Sequence, residues 1–199
     1  TGIWLANDDT HLFVRLEATA EFQLDEGHAL TLCIDTDGDP ATGEAVHGIG
    51  ADLWWELGLR TGRAHGSEGA FGIWYADIGC RAAPTVSSTT FEMAIARDAA
   101  PAGPLFGDAT LGILVQDRTV GGDGLFDGDL VPDTGALSYT FDPTPVGDPE
   151  SIPLDRQSGD SIRVVTWNTL WDGMTDPDRA ESFRRVLIAL DPDILALQE

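Results

Sequence analysis

The sequence predicts a mainly β protein, in which an antiparallel β-sandwich is followed by the start of an α/β domain. Before residue 142, apolar and polar residues alternate along many short segments, which is the period of a strand with one buried face. Clusters of Gly, Asp, Pro and Ser separate these segments, and no convincing helical stretch lies among them. After a proline-rich segment, the pattern changes to strand, helix and strand.

The first predicted domain, residues 1–142, contains about eight strands. In chain order, the predicted strands are Ile3–Leu5, Leu12–Ala18, Leu30–Ile34, Leu53–Leu57, Gly72–Ile78, Phe91–Ile95, Leu111–Val115 and Leu137–Phe141. Within the sixth of these, Met93 is expected on the buried face, because it alternates with polar neighbours. This spacing of short strands and turn residues favours a sandwich of two sheets.

Residues 143–160 are predicted to be a linker. Four prolines lie in this region without any periodicity, and proline cannot donate a hydrogen bond to a sheet and keeps the chain extended. The composition changes on both sides of the segment, so we expect a domain boundary here.

Residues 161–199 predict a βαβ unit. The β-branched run Ile162–Trp167 ends at Asn168, and a second apolar strand, Ile194–Leu197, precedes Gln198 and Glu199. Between them, Asp176-Pro177 is typical of a helix start, and Pro192 is expected to end that helix. One such unit buries little surface, so we expect it to be the first part of a longer domain.

The net charge of −23 argues against binding of nucleic acid through a basic surface. The chain has 34 acidic and 11 basic residues, and all the basic residues are Arg. It therefore has no basic surface for nucleic-acid phosphates.

No apolar stretch approaches the roughly 18 residues of a membrane-spanning helix. The chain begins at Thr1 without a signal peptide, which suggests a processed protein or a fragment.

The two cysteines leave two alternatives open. Cys33 and Cys80 can form one disulfide, or they can be inert thiols within the core.

The strand ends of the predicted βαβ unit form the first candidate site. Parallel strands carry their carboxyl ends to the same edge, so Asn168 and Glu199 are expected to approach one another. A carboxylate can hold a hard divalent cation, and an amide can orient a phosphate oxygen or a water. The alternative is that Asn168 caps a turn and Glu199 is solvated.

The same residues carry a resemblance to a known family. IRVVTWNTLWDG, an amphipathic helix with Phe183-Arg184-Arg185, and DPDILALQE resemble the start of the endonuclease/exonuclease/phosphatase superfamily of deoxyribonuclease-I-like metallohydrolases. The resemblance covers residues 161–199 and implies a four-layer α/β sandwich. It also implies metal-assisted hydrolysis of a phosphate ester, in which Glu199 binds Mg²⁺ or Mn²⁺ and Asn168 is a catalytic residue that contacts the phosphate.

The resemblance also implies that the enzyme is longer than this chain. The family's catalytic His and its Asp partners have no counterpart in residues 161–199, and the four histidines all lie in the predicted sandwich, at His11, His28, His47 and His65. We therefore expect the chain by itself to be inactive. Which phosphate ester is cleaved is left open.

An acidic loop forms the second candidate site. Asp35, Asp37 and Asp39 follow a buried strand at spacings that let three carboxylates converge on one Ca²⁺, and Asp52 comes soon after. The loop lacks the glycine and glutamate pattern of an EF-hand. The alternative is a solvated hairpin with Asx turns. A second acidic loop contains Asp123, Asp127, Asp129 and Asp133.

Residues 1–142 carry a second, more diffuse resemblance. LFVRLE, CIDTDGDPATG with GADLWWE, and FEMAIARD are similar to DOMON-like and family 9 carbohydrate-binding-module sandwiches. This resemblance implies an extracellular module that accompanies other domains. Four aromatic residues are candidates for stacking on a sugar, or alternatively for the core: Trp54, Trp55, Trp74 and Tyr75.

Three functional hypotheses follow. The first is the N-terminal part of a secreted phosphodiesterase, nuclease or phosphomonoesterase with an accessory sandwich. The second is an extracellular glycan-binding module, and the third is a Ca²⁺-stabilised structural module of a larger assembly.

Overall fold

The computed structural model describes residues 2–24, 30–84, 87–118, 128–144, 147, 153–156, 158–169 and 177–198. The chain divides into two compact units, Thr1–Val146 and Gly147–Glu199. The described strands of the first unit are β1 (Gly2–Asn7), β2 (His11–Phe22), β3 (Leu30–Asp35), β4 (Glu44–Val46), β5 (Ile49–Ala51), β6 (Leu53–Glu56), β7 (Thr61–Gly66), β8 (Gly69–Trp74), β9 (Arg81–Ala83), β10 (Ser88–Ala96), β11 (Leu111–Asp117), β12 (Asp129–Val131) and β13 (Leu137–Tyr139). The second unit contains β14 (Val164–Asn168), α1 (Pro177–Leu190) and β15 (Ile194–Gln198).

The first unit consists of antiparallel sheets, which confirms that the protein is mainly β. The smaller sheet has the order β1-β2-β10-β9, and the larger sheet has the order β12-β11-β3-β6-β7-β8, with β13 also paired to β11. Strands β4 and β5 form a separate hairpin. The described part of this unit has thirteen strands, more than the eight predicted. Several of the additional strands are only three residues long, which is too short for an alternating pattern to be recognised.

The smaller sheet (β1-β2-β10-β9) and the larger sheet, which contains β3, β6 and β11, share one hydrophobic core, as in a β-sandwich. From β2, Leu12, Val14 and Leu16 are buried, while Phe13 between them is exposed. Met93 of β10 is buried in the same core, as its alternation predicted. The larger sheet contributes apolar residues of β3, β6, β7, β8 and β11 to this core. The predicted strand period therefore corresponds to one face of each sheet that packs against the other sheet.

The larger sheet is also covered on part of its second face. Cys33, Trp54 and Leu114 pack there against Val46 and Ile49 of the β4–β5 hairpin. Because Cys33 alternates with core residues along β3, this strand is buried on both faces. The connection from β3 to β6 thus leaves the sheet, forms the hairpin and covers the outer face.

The two cysteines are free thiols. Cys33 belongs to the outer cluster, whereas Cys80 packs against the core between the sheets. Of the two alternatives, the structure therefore has the unpaired one. Burial raises the pKa of the Cys33 thiol to about 12 and that of the Cys80 thiol to about 11.

The strand predicted over Gly72–Ile78 is displaced in the structure. Strand β8 ends at Trp74, and the chain then turns. The Trp74 N–H donates to the Asp77 carboxylate (2.7 Å), and the Asp77 N–H donates to the Trp74 carbonyl oxygen (2.9 Å). This side-chain cap at Asp77 ends the strand earlier than its apolar pattern suggested.

The second unit is a parallel strand pair with a helix between the strands. Strands β14 and β15 pair in parallel, from Val164 opposite Ile194 to Asn168 opposite Gln198. Helix α1 begins at Pro177 and ends two residues before Pro192, as those prolines predicted. No helix in the described part of the chain has the length and apolar composition needed to cross a membrane.

Candidate functional sites

The parallel register brings the ends of β14 and β15 to one edge of the second unit. Asn168 lies opposite Gln198, the last described residue of the chain. Beyond this pair, the Thr169 N–H donates to the Gln198 carbonyl oxygen (2.9 Å), and the Thr169 hydroxyl is 3.3 Å from the same oxygen. Thr169 is buried, so these contacts fix the chain as it leaves β14. Glu199 follows Gln198 in the sequence and lies outside the described residues.

Helix α1 packs on one face of this strand pair. Phe183 is buried, and its ring lies 4.5 Å from that of Trp167, centroid to centroid. Leu187 is partly buried on the same side of the helix, whereas Val186 is exposed. The opposite face of the strand pair exposes Val164 and Ile194, which are direct neighbours. One face of this small sheet is therefore covered, and the other is apolar and exposed.

The acidic loop after β3 brings together Asp35, Asp37 and Asp52. One carboxylate oxygen from each lies within 4.8 Å of the others. The sheet explains the approach of Asp52: Ile34 pairs with Leu53, so the residues just beyond this pair, Asp35 and Asp52, are neighbours at the same end of β3 and β6. In the described part of the chain, this is the one group of three such side chains close enough to share a metal ion.

Hydrogen bonds within the loop hold these carboxylates in place. The Gly38 N–H donates to Asp35 (2.7 Å), and the Thr36 N–H and hydroxyl donate to the same oxygen of Asp52 (2.8 and 2.9 Å). Gly38 has a φ of 72°, a conformation that glycine adopts without strain. Asp37 accepts hydrogen bonds from the Thr42 hydroxyl at the rim of the loop.

The electrostatics of the cluster favour a bound cation. Burial raises the pKa of the Asp52 carboxyl, hydrogen bonds from Thr36 oppose this effect, and the negative charges of Asp37 and Asp35 raise the pKa further. Asp35 is also buried, so two of the three carboxylates have lost most of their water. Hard oxygen ligands of this kind suit Ca²⁺ or Mg²⁺.

Asp39, which the sequence analysis grouped with Asp35 and Asp37, lies outside this cluster. Its carboxylate accepts the N–H of Ala41 (2.9 Å) in an Asx-type turn. In the second acidic loop, Asp123 and Asp127 lie outside the described residues. Asp129 belongs to β12 and accepts the N–H of Leu130, and Asp133 lies in an exposed bend.

A cleft of about 340 Å³ opens beside the acidic cluster. Asp37, Asp52 and His65 contribute to its lining, together with the loop at residues 101–109. The His65 ring nitrogen Nε2 lies 3.5 Å from a carboxylate oxygen of Glu44 in the β4–β5 hairpin. Because Asp37 is exposed, the acidic cluster is open to solvent on the side of Asp37.

The four aromatic candidates for sugar stacking fall into two groups. Trp54 and Trp55 are buried and belong to the two hydrophobic clusters. The Arg63 guanidinium covers the Trp54 ring at 3.9 Å from its centroid, which removes that face from any ligand. Trp74 and Tyr75 are more than half exposed. The structure therefore leaves two of the four aromatic rings open for stacking.

Comparisons with protein-family models, with curated proteins and with solved structures find no match to this chain.

Asp52 is the residue that sequence reasoning did not include in the cluster. Local spacing within the loop favours Asp39 instead, because Asp39 follows Asp35 and Asp37 at the same interval. The signal that identifies Asp52 is its position directly before β6, because β6 pairs antiparallel with β3 and β3 ends at Asp35. A pairing of these two strands, had it been predicted, would have placed Asp52 beside Asp35.

Proposed function

We propose that the chain is the N-terminal part of a secreted, divalent-metal-dependent phosphoesterase with an accessory β-sandwich. The observation that carries the proposal is the parallel register of the second unit. It sets Asn168 opposite Gln198, and the next residue in the sequence is Glu199. Sites of α/β proteins form at this carboxyl edge. The resemblance of residues 161–199 to the endonuclease/exonuclease/phosphatase superfamily supplies the reaction class.

The residue types of Asn168 and Glu199 suit the metal that the resemblance implies. Glu199 offers a carboxylate and Asn168 an amide oxygen, and oxygen donors of this kind bind Mg²⁺ or Mn²⁺. Glu199 would hold the ion, which supplies charge stabilisation to the phosphoryl oxygens when it is bound. Asn168 would contact the phosphate and orient it. Contacts of Thr169 with Gln198 keep the two strand ends together.

The exposed face of β14 and β15 supports a larger α/β domain. Val164 is 61% exposed and Ile194 is 52% exposed, and both are apolar residues on one sheet face. In α/β folds, layers on both faces of a parallel sheet bury such residues. A further layer over this face fits the four-layer sandwich that the resemblance implies.

The test uses the full-length natural protein and a chromogenic phosphodiester with Mg²⁺. Glu199→Gln is expected to lower the rate by on the order of a hundredfold or more, because metal-dependent charge stabilisation contributes several kcal/mol. Asn168→Ala should lower kcat as well. The control is Glu181→Gln, which removes an exposed carboxylate that pairs with Arg184 on α1. Full activity of the Glu199 variant would exclude the metal-binding role of that residue.

The 199-residue chain by itself is expected to be inactive, because the catalytic histidine that the family requires has no counterpart in residues 161–199. Assaying this chain under the same conditions checks the expectation. Measurable Mg²⁺-dependent hydrolysis by the chain alone would contradict it.

A second candidate function is a calcium-stabilised module, and the Asp35, Asp37 and Asp52 cluster is the observation that favours it. Ca²⁺ takes six to eight oxygen ligands, so three carboxylates leave positions for carbonyl oxygens or water. Calorimetric titration of the chain with Ca²⁺ is expected to show one site per chain. An absence of heat at millimolar Ca²⁺ would show that the loop is an ordinary turn and not a calcium site.

Glycan binding is the other form of this second candidate, and the exposed Trp74 and Tyr75 favour it. Tyr75 also lines a depression of about 570 Å³ together with Asp9 and Asp98, whose carboxylates can accept hydrogen bonds from hydroxyl groups. A glycan array probed with the chain and with Tyr75→Ala tests this. Equal binding by the two proteins would exclude this depression as the glycan site. An absence of binding by the wild-type chain would exclude glycan binding as its function.

A further inference from the structure

A cleft opens between the two sheets of the first unit. It has a volume of about 380 Å³ and lies at the end of the sandwich where β2 and β11 finish. This volume is within the range of small-molecule sites. Its base is formed by Leu16 and Phe91 of the smaller sheet and Val115 of the larger sheet, all of them buried.

A β-bulge shapes this cleft. Along the β2–β10 pair, Glu17 lies opposite Thr90 and Phe22 lies opposite Ser88. The four residues 18–21 of β2 therefore stand against one residue of β10, and all four line the cleft. On the partner strand, the Ser88 hydroxyl donates to the Thr90 carbonyl oxygen (2.8 Å) and accepts the Thr90 N–H (3.0 Å). Bulges are frequent next to binding sites because they redirect a strand locally.

The rim of the cleft is acidic. Four carboxylates line it, and none of the described lining residues is basic: Glu17, Glu21, Asp117 and Asp129. Glu17 forms an ion pair with Arg15, whereas Glu21 extends the acidic rim from the bulge of β2. Asp129 accepts a hydrogen bond from its neighbour Leu130 and retains further acceptor capacity.

The interior of the cleft is apolar and aromatic. Ile3, Leu30 and Val131 complete its walls, and the rings of Phe22 and Phe91 lie 5.0 Å apart, centroid to centroid. These rings and aliphatic side chains offer apolar surface to the hydrocarbon body of a ligand, while the acidic rim attracts a positive charge.

We propose that this cleft binds a small apolar cation, with an alkyl or aryl body between the sheets and an ammonium group at the acidic rim. The apolar base excludes strongly hydrated ligands, and the carboxylates repel anions. A cation without an apolar body lacks the contacts with Leu16, Phe91 and Val115.

The test is calorimetric titration of the 199-residue chain at physiological salt with decyltrimethylammonium below its micellar concentration. Decanoate has the same tail with the opposite charge, and tetramethylammonium is the head group alone. We expect saturable binding of one decyltrimethylammonium per chain, at least tenfold tighter than either comparison compound. Equal affinity for decanoate, or binding without saturation, would overturn the proposal.

Paired variants separate the cleft from the general negative charge of the protein. Ala20→Trp fills the cleft from an exposed position of the bulge and is expected to weaken binding at least tenfold, whereas Ala70→Trp on exposed β8 leaves it unchanged. Glu21→Gln is expected to weaken binding up to about fivefold, the size of a solvent-exposed ion pair. Glu68→Gln removes the same charge at a distant turn and is expected to have no effect. Equal effects within either pair would show attraction to the whole surface and refute the site.

Discussion

Replacing Asp52 with asparagine tests the calcium hypothesis at the residue that the fold, rather than the local sequence, brings into the cluster. Asparagine keeps an oxygen that can accept both hydrogen bonds from Thr36, so the loop geometry is retained while one negative charge is removed. The matched control is Asp39→Asn, four residues from Asp35 in the same loop, because the Asp39 carboxylate accepts the N–H of Ala41 and lies outside the cluster.

The expected magnitude follows from binding linkage. A ligand at one hundred times its Kd stabilises the folded protein by about 2.7 kcal/mol. For a unit of about 150 residues, each kcal/mol shifts Tm by roughly 2–4 °C, so saturating Ca²⁺ should raise Tm by roughly 5–11 °C. The Asp39 variant should retain this shift, and the Asp52 variant should lose most of it.

The same substitution should have the opposite effect when Ca²⁺ is removed. The carboxylate oxygens of the cluster lie within 4.8 Å of one another. Two unit charges at that limiting distance repel by about 1 kcal/mol in water and by about 3.5 kcal/mol at an effective dielectric constant of about 20. Removing the Asp52 charge relieves this repulsion from Asp35 and Asp37. In the presence of chelator, the Asp52 variant should therefore melt at a temperature equal to or above that of the wild type.

The pH dependence provides an independent check with a defined sign. The pKa of Asp52 is raised above its ordinary value of 3.8, so the folded state holds this proton to higher pH than the unfolded chain does. Its contribution to stability is present at low pH and is lost as the pH rises through the raised pKa. In the presence of chelator, the Tm of the wild type should therefore fall relative to the Tm of the Asp52 variant as the pH rises above about 4.

Thermal melts of the two variants and the wild type, with Ca²⁺ and with chelator, test whether Asp35, Asp37 and Asp52 form a calcium site. If the Asp52 variant keeps the full Ca²⁺ shift and the Asp39 variant loses it, the ligand set inferred from the fold is wrong. If no protein responds to Ca²⁺, the cluster is not a calcium site.

Three further predictions concern the packing. Gly50→Ala should destabilise the first unit by roughly 1–3 kcal/mol in urea unfolding, because the added methyl would lie 2.0 Å from the Thr42 carbonyl oxygen; unchanged stability would mean that the loop and hairpin are less tightly packed. Cys33 and Cys80 should resist alkylation at pH 7 in the native protein and react after unfolding, as mass spectrometry would show, because burial raises both thiol pKa values. Phe183→Ala should cost the second unit about 3 kcal/mol and reduce its helical circular dichroism, whereas an unaltered spectrum would contradict the packing of α1 on β14.

Elements with a strong local signal were predictable from the sequence. The alternation at Leu12, Val14 and Leu16 corresponds to a buried strand face, and Pro177 and Pro192 bracket helix α1. Both signals depend only on neighbouring residues, since strand period and proline chemistry act over a few positions. Short strands such as β4 and β5 carry no such signal, because their conformation depends on docking against the larger sheet.

The acidic cluster shows where local reasoning fails. Spacing within the loop favours Asp39, but an Asx turn competes for that carboxylate and removes it from the group. Asp52 enters the cluster through the pairing of β3 with β6, which is a long-range contact across an inserted hairpin. Residues that meet through sheet pairing can be predicted only when the pairing itself is known.

The same insertion links the acidic loop to the packing of the first unit. The chain between Asp35 and Asp52 forms both the loop and the β4–β5 hairpin, whose Val46 and Ile49 cover Trp54 on the outer face of the larger sheet. A cation that joins Asp35 to Asp52 would therefore tie the two ends of this connection and hold the hairpin against the sheet. Loss of the ion should loosen the cover over Trp54 before the core between the sheets is affected. A cation bound there would act on a defined part of the fold, and a change in tryptophan fluorescence that precedes global unfolding on chelation would be its signature.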